Sequence, residues 1–121
     1  MEKLDILLVD DKLMMRKIQS EILQSIGHQV EVADSGNAAI EQAQKRPFDV
    51  ILMDVQMPMM DGLQTTLRLR EQGVATPIIA LTGNDSAEEQ VRCLQAGMNG
   101  FIAKPIQLED FYYHIAKIFK P

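Results

Sequence analysis

The sequence predicts an α/β fold in which five strand–helix units build one parallel sheet with helices on both faces. Four apolar runs, residues 6–9, 50–53, 78–81 and 101–103, have the length and continuity of strands buried on both sides. Segments of helical period lie between them, and that alternation makes the strands parallel. Each run also stops at polar residues able to carry chemistry: Asp10-Asp11, Asp54, Thr82 and Lys104-Pro105. In an open parallel sheet the carboxyl edge, where such residues gather, is where ligands bind.

The elements follow in order. After the first strand, residues 12–26 show a helical stripe of Met15, Ile18, Ile22 and Ile26 with Leu23 beside it, and Gly27 stops the helix. Val30 and Val32 alternate with Glu31 as a short second strand. Ser35-Gly36 opens a helix through Ala39, Ile40 and Ala43, which Pro47 closes. Residues 50–53 form the central strand. Leu63, Leu67 and the stem of Arg70 mark the third helix, which ends near Gly73. Pro77 begins the fourth strand, where a missing N–H is tolerated. Asp85 or Ser86 caps a fourth helix carrying Val91, Leu94 and Ala96, closed at Gly97. A short fifth strand follows, and Leu108, Phe111, Ile115 and Ile118 share one face of the last helix.

Right-handed crossovers leave few topologies for five such units. The order 2-1-3-4-5 sets strands one and three side by side and brings Asp10, Asp11 and Asp54 together. The expected architecture is thus α/β, a doubly wound (βα)5, flavodoxin-like fold with a five-stranded parallel sheet. Residues 1–121 are read as one domain, since no linker, repeat or low-complexity tract divides them.

Bulk properties bound the function without naming it. The chain is 46% hydrophobic and 24% charged, an ordinary globular balance. A net charge of -5 with no Lys/Arg run argues against direct nucleic-acid binding. The one cysteine, Cys93, excludes an internal disulfide and a multi-cysteine metal site. No apolar stretch approaches the ~20 residues that span a bilayer, and Met1-Glu2-Lys3-Leu4-Asp5 does not open like a signal peptide. A cytoplasmic protein with no membrane contact is expected.

The polar strand ends suit a divalent metal and a phosphoryl group. Asp10 or Asp11 alone reads equally well as a helix cap. Both cannot be the cap, and a third carboxylate on the neighbouring strand favours a metal. Clustered carboxylates raise one another's pKa unless a cation is present, and magnesium takes such oxygen ligands while keeping waters. Asp54 is not needed for its turn, because Pro58 and Asp61-Gly62 supply that chemistry. A carboxylate beside a metal can act as a nucleophile and form an aspartyl phosphate. Thr82 taken singly is a strand-end turn residue, and Lys104 taken singly is a solvated lysine. Aimed into the acidic cluster, Lys104 becomes a point charge suited to phosphate.

Together these residues resemble the receiver domain of two-component response regulators. The likeness covers essentially the whole chain: the acidic pair, Asp54 within Met53-Asp54-Val55-Gln56-Met57-Pro58, Asp61-Gly62, Thr82, Ala96-Gly97 and Lys104-Pro105. The resemblance implies that Asp54 is the phosphoacceptor, charged by a histidine kinase or a histidine phosphotransfer protein. It implies a magnesium site (Mg2+) made by Asp11, Asp54 and the Gln56 backbone carbonyl, with Asp10 holding a metal-bound water. Thr82 and Lys104 would contact the phosphoryl oxygens, and Phe101 falls where the family places a switch aromatic beside Thr82. Pro105 becomes a cis-proline candidate on the same ground. Signalling would leave through helix four, strand five and helix five to an unknown output partner. Tyr112, Tyr113 and His114 either border that face or extend the core stripe of the last helix.

Other residues have plainer expectations. His28 reads as a solvated turn residue, and Cys93 as a small core or surface residue rather than a redox sensor. Met14, Met15 and Met57 are placed at the rim of the acidic site. A phosphatase would need an acid shortly after the nucleophile, which Val55-Gln56 does not supply. A flavin carrier needs a phosphate loop after strand one, where Asp10-Asp11-Lys12 would repel it. With no DNA-binding segment, a stand-alone regulator or a relay module of a hybrid sensor kinase is expected. The chain is expected to be no enzyme beyond intrinsic self-phosphorylation and autodephosphorylation.

Overall fold

The computed structural model describes residues 3–83 and 86–119. Strand and helix alternate as β1 (Asp5–Val9), α1 (Leu13–Ser25), β2 (Gln29–Ala33), α2 (Gly36–Lys45), β3 (Val50–Asp54), α3 (Gly62–Glu71), β4 (Ile78–Thr82), α4 (Ala87–Ala96), β5 (Gly100–Ala103) and α5 (Leu108–Ile118). The sheet is parallel, in the order β2-β1-β3-β4-β5 that the sequence predicts. Val9 lies beside Met53 in register, so the chains leaving β1 and β3 emerge together.

The apolar runs resolve into two alternating faces, as the two-residue period of a strand requires. Leu7, Val9, Ile51, Met53, Ile78 and Ala80 pack with Ala39 of α2, Leu69 of α3 and Cys93 of α4. Ile6, Leu8, Val50, Leu52, Ile79 and Leu81 face the other way, toward Leu23 of α1 and Phe111 and Ile115 of α5. The sheet is therefore covered on both sides. Cys93 is buried, and burial pushes its thiol pKa up, which disfavours the thiolate.

Local chemistry sets the helix ends. The Ser35 hydroxyl accepts the Ala38 N–H at 3.1 Å and starts α2. Asp61 and Gln64 form a reciprocal capping box at α3, with bonds of 2.8 and 3.1 Å. Ser86 caps α4 through the Glu89 N–H; Asp85 lies outside the described residues. Gly97 ends α4 at φ 106°, and a Cβ there would also press on the Arg70 stem.

Three helices bury a different face from the one their apolar residues mark. In α1 the buried residues are Gln19 and Leu23, while Ile18 is exposed. In α3 Leu69 is fully buried and Leu67 exposed; Thr65 and Thr66 join Leu69, their hydroxyls donating to the Asp61 and Gly62 carbonyls at 2.8 Å. Satisfied in that way, two small polar residues can sit inside. In α4 Glu89, Cys93 and Ala96 are buried, whereas Val91 and Leu94 face outward. Glu89 is tolerated because Arg92 pairs with it at 2.6 Å. Val32, on the edge strand β2, is likewise exposed, and Ala33 is the residue turned inward.

Two residues prove more structural than expected. Arg70 donates to the Gly97 carbonyl, to the Val74 and Thr76 carbonyls, and to Asn99 Oδ1, over 2.8–3.1 Å. It fastens the end of α3 to the cap of α4 and to the lead-in of β4. His28 is buried, not solvated. Its Nδ1 accepts the Leu4 N–H at 3.0 Å, and its ring meets Phe111 edge-on at 5.7 Å. The start of β1 needs an acceptor there, and the α1–β2 turn supplies it.

Candidate functional site

The carboxyl edge of the sheet gathers the residues singled out above. Asp10 follows β1 and Asp54 ends β3; both are buried, and Asp11 is half-buried beside them. Each of the three offers a carboxylate oxygen within 4.8 Å of the others. Lys104 follows β5, only 12% exposed along its side chain, with Nζ 3.2 Å from Asp54 Oδ1 and 3.6 Å from Asp10 Oδ2. The Lys104–Pro105 peptide is cis. Thr82 is buried at the end of β4, paired with Ala103, and its carbonyl accepts the Lys104 N–H at 3.0 Å. Phe101 lies on β5 opposite Ala80, half-buried against the core.

Asp10 is held on several sides. Its Oδ1 accepts the Lys12 N–H at 2.9 Å, its Oδ2 accepts from Gln19 Nε2 at 3.4 Å, and its carbonyl accepts from Arg16 at 3.0 Å. Turn former and cluster member are thus one residue. Asp54 Oδ1 takes the Gln56 N–H at 3.2 Å together with Lys104. Among the described residues, nothing hydrogen-bonds Asp11 Oδ1 or Asp54 Oδ2, although both are buried. Carboxylate oxygens removed from water and left without donors call for a cation. The donor set fits a hard divalent ion.

Burial, followed by the charge of Asp10, raises the Asp54 carboxyl to about 6; Lys104 and the Gln56 N–H pull the other way without cancelling it. The loop that carries Gln56 is pinned by the Gly62 N–H, which donates to the Val55 carbonyl at 2.9 Å. Gly62 must lack a side chain, because a Cβ would collide with the Asp54 carbonyl oxygen.

Some expected placements differ. Met57 packs into the core layer beneath α2–α4, and Met14 is an exposed residue of α1. Tyr112 and Tyr113 stand outside the α5 core stripe of Phe111 and Ile115. His114 is half-buried, with Tyr113 against it at 5.3 Å. Sequence reasoning missed Gln19 and Arg16, both of which touch Asp10. Helical spacing held the signal for Gln19, which lies four residues after Met15 and four before Leu23.

A doubly wound parallel sheet with an acidic, lysine-crossed pocket at its carboxyl edge defines a class of phosphoryl- or cation-binding α/β domain. Within that class, this chain belongs to the response regulator receiver domain family, whose family model matches residues 6–116. It is 40% identical over 104 residues to the sensor histidine kinase RcsC of Escherichia coli, covering 86% of this chain and 11% of that protein. The signal transduction histidine-protein kinase BarA of E. coli is 36% identical over 118 residues, covering 96% and 13%. The chain thus spans about a tenth of the length of these relatives. Among solved structures, the Vibrio cholerae chemotaxis protein CheY4 superposes with a TM-score of 0.88 at 34% identity, covering 98% of this chain and 100% of that one. The receiver domain of sensor histidine kinase PA1611 from Pseudomonas aeruginosa, solved with magnesium coordinated in its active site cleft, gives 0.84 at 35% identity, covering 96% and 97%. Among the described residues, no helix is long and apolar enough to cross a membrane.

Proposed function

We propose that Asp54 accepts a phosphoryl group from a phosphohistidine, carried by a histidine kinase or a histidine phosphotransfer protein. One observation carries the reading: a buried carboxylate with one unpartnered oxygen lies 3.2 Å from a lysine, inside a cluster of three acids. An Asp54 oxygen forms the new O–P bond while the P–N bond breaks, and the electron pair leaves with the imidazole nitrogen, which takes up a proton. Lys104 is placed to meet the charge on the transferring oxygens, and Thr82 at the neighbouring strand end offers a hydroxyl donor. Asp11, Asp54 and the Gln56 carbonyl would hold magnesium directly, and Asp10 would hold it through water. Magnesium, when bound, neutralises charge on the phosphoryl oxygens.

Phosphorylation adds negative charge and acceptor oxygens at Asp54. Thr82 and Lys104 then shift toward them, and Phe101 follows, altering the face made by α4, β5 and α5. Tyr112 and Tyr113, exposed on α5, border that face. The chain acts as a phosphoacceptor, with self-phosphorylation and autodephosphorylation as its only catalysis. Its surface charge gives no footing for nucleic acid, and a cytoplasmic partner presents the phosphohistidine.

The test is incubation with radiolabelled acetyl phosphate. Wild type should label only with magnesium, hydroxylamine should strip the label, and Asp54→Asn should not label. Label persisting on that variant would sink the assignment. A second reading, a relay module within a hybrid sensor kinase, draws support from RcsC and BarA being kinases many times this length. Phosphotransfer profiling separates the two: a relay module passes its phosphoryl group back to a histidine protein, and a terminal regulator retains it.

A further inference from the structure

We infer that Gln19 is a positioning residue for Asp10: a neutral donor that keeps this carboxylate in place when Lys104 turns toward a phosphoryl group. The inference rests on the function proposed above and adds a residue to it.

Gln19 is completely buried on α1, one turn before Leu23. Its side chain makes one hydrogen bond among the described residues, from Nε2 to Asp10 Oδ2 at 3.4 Å. Its Oε1 is buried with no hydrogen-bond partner among the described residues. A buried amide left half-satisfied is less favourable than an unbranched apolar side chain of the same length. Packing against Leu23 therefore does not account for it, and its one bond points to the site.

That bond falls on an oxygen with a divided allegiance. Lys104 Nζ lies 3.6 Å from Asp10 Oδ2 and closer to Asp54, at 3.2 Å. New phosphoryl oxygens on Asp54 draw the ammonium further from Asp10, whose carboxylate is wholly buried. Without Gln19, Oδ2 would then lose its donor. With it, Oδ1 stays on the Lys12 N–H and Oδ2 on the amide, a two-point hold that fixes the carboxylate plane. A carboxylate so fixed presents the same geometry to a cation in both states.

The test uses the full chain carrying Gln19→Met, which keeps the length and removes donor and acceptor, and Gln19→Leu as a second shape. Magnesium affinity is read by calorimetric titration, metal-free stability by urea unfolding in EDTA, and phosphorylation by acetyl phosphate labelling. Magnesium affinity and labelling rate at limiting magnesium should each fall about tenfold, while the urea midpoint stays at or above that of wild type. Magnesium binding within twofold of wild type in either folded variant overturns the inference. So does failure of both variants to fold, or a lowered midpoint with affinity unchanged, since each makes Gln19 a packing residue. A wild-type chain that neither binds magnesium nor labels removes the proposed function itself, a separate result.

Discussion

Asp54 carries its charge at a disadvantage in the metal-free protein. Burial and Asp10 raise its carboxyl from 3.8 to about 6, so the native state holds this proton more tightly than the unfolded chain. Such a group stabilises the fold fully below its unfolded pKa, and that contribution is lost as pH rises through about 6. At pH 7.5 Asp54→Asn removes the unfavourable charge, and the variant should be more stable than wild type by roughly 2 kcal/mol in EDTA. The gap should close toward pH 4, and urea unfolding across the range measures it. His28 and His114 work in the opposite sense: burial lowers both pKa values, so their contribution is present above 6.5 and lost as pH falls. Subtracting the variant's profile from wild type isolates the carboxylate from both. For His28 itself, replacement by Leu leaves the Leu4 N–H without its acceptor. Thermal and urea unfolding at pH 7.5 should show a loss of about 1–3 kcal/mol, with less sensitivity to acid below pH 6.5. Sequence could not announce this residue, because the groups that bury it, the Leu4 N–H and the Phe111 ring, are far away along the chain.

At the scale of elements, the strands were legible, and so were the core faces of α2 and α5, while those of α1, α3 and α4 were not. A run such as residues 50–53 has one reading, because a parallel central strand is apolar on both sides. A helix offers a choice of faces, and apolar count is a poor guide when small polar residues satisfy themselves. Thr65 and Thr66 return their hydroxyls to their own helix, and Gly62 brings α3 against the Asp54 loop. Those close approaches decide that Leu69 turns inward and Leu67 does not. The two leucines should therefore differ sharply in unfolding experiments. Leu69→Ala should lose about 2–5 kcal/mol, and Leu67→Gln should stay within about 0.5 kcal/mol of wild type. Similar losses at both positions would restore the apolar stripe that the sequence draws through Leu63 and Leu67. The acidic residues and the lysine were legible for a related reason. Strand ends are fixed once the strands are, so their side chains need no choice of face, whereas Gln19 sits on a helix whose rotation was misread.

Across the whole molecule, Lys104 at the end of β5 bridges two strand ends, those of β1 and β3, whose carboxylates would otherwise repel. β5 lies at one edge of the sheet, two places away from β3 and three from β1. Its lysine reaches back to carboxylates on both, almost wholly out of water. Removing one partner of such a group exposes the remaining charges to a low-dielectric interior. Lys104→Met should therefore lower metal-free stability by roughly 3 kcal/mol at pH 7.5. Magnesium, entering the same cluster, should restore most of it through binding to the native state alone. A double-mutant cycle separates this electrostatic link from lost packing. If repulsion between Asp10 and Asp54 is what Lys104 relieves, Asp54→Asn should rescue Lys104→Met, and the double variant should unfold well above the single one. Two additive effects would mean that Lys104 contributes through its aliphatic stem. The bridge across the sheet's carboxyl edge would then be a consequence of the fold and no longer part of what holds it.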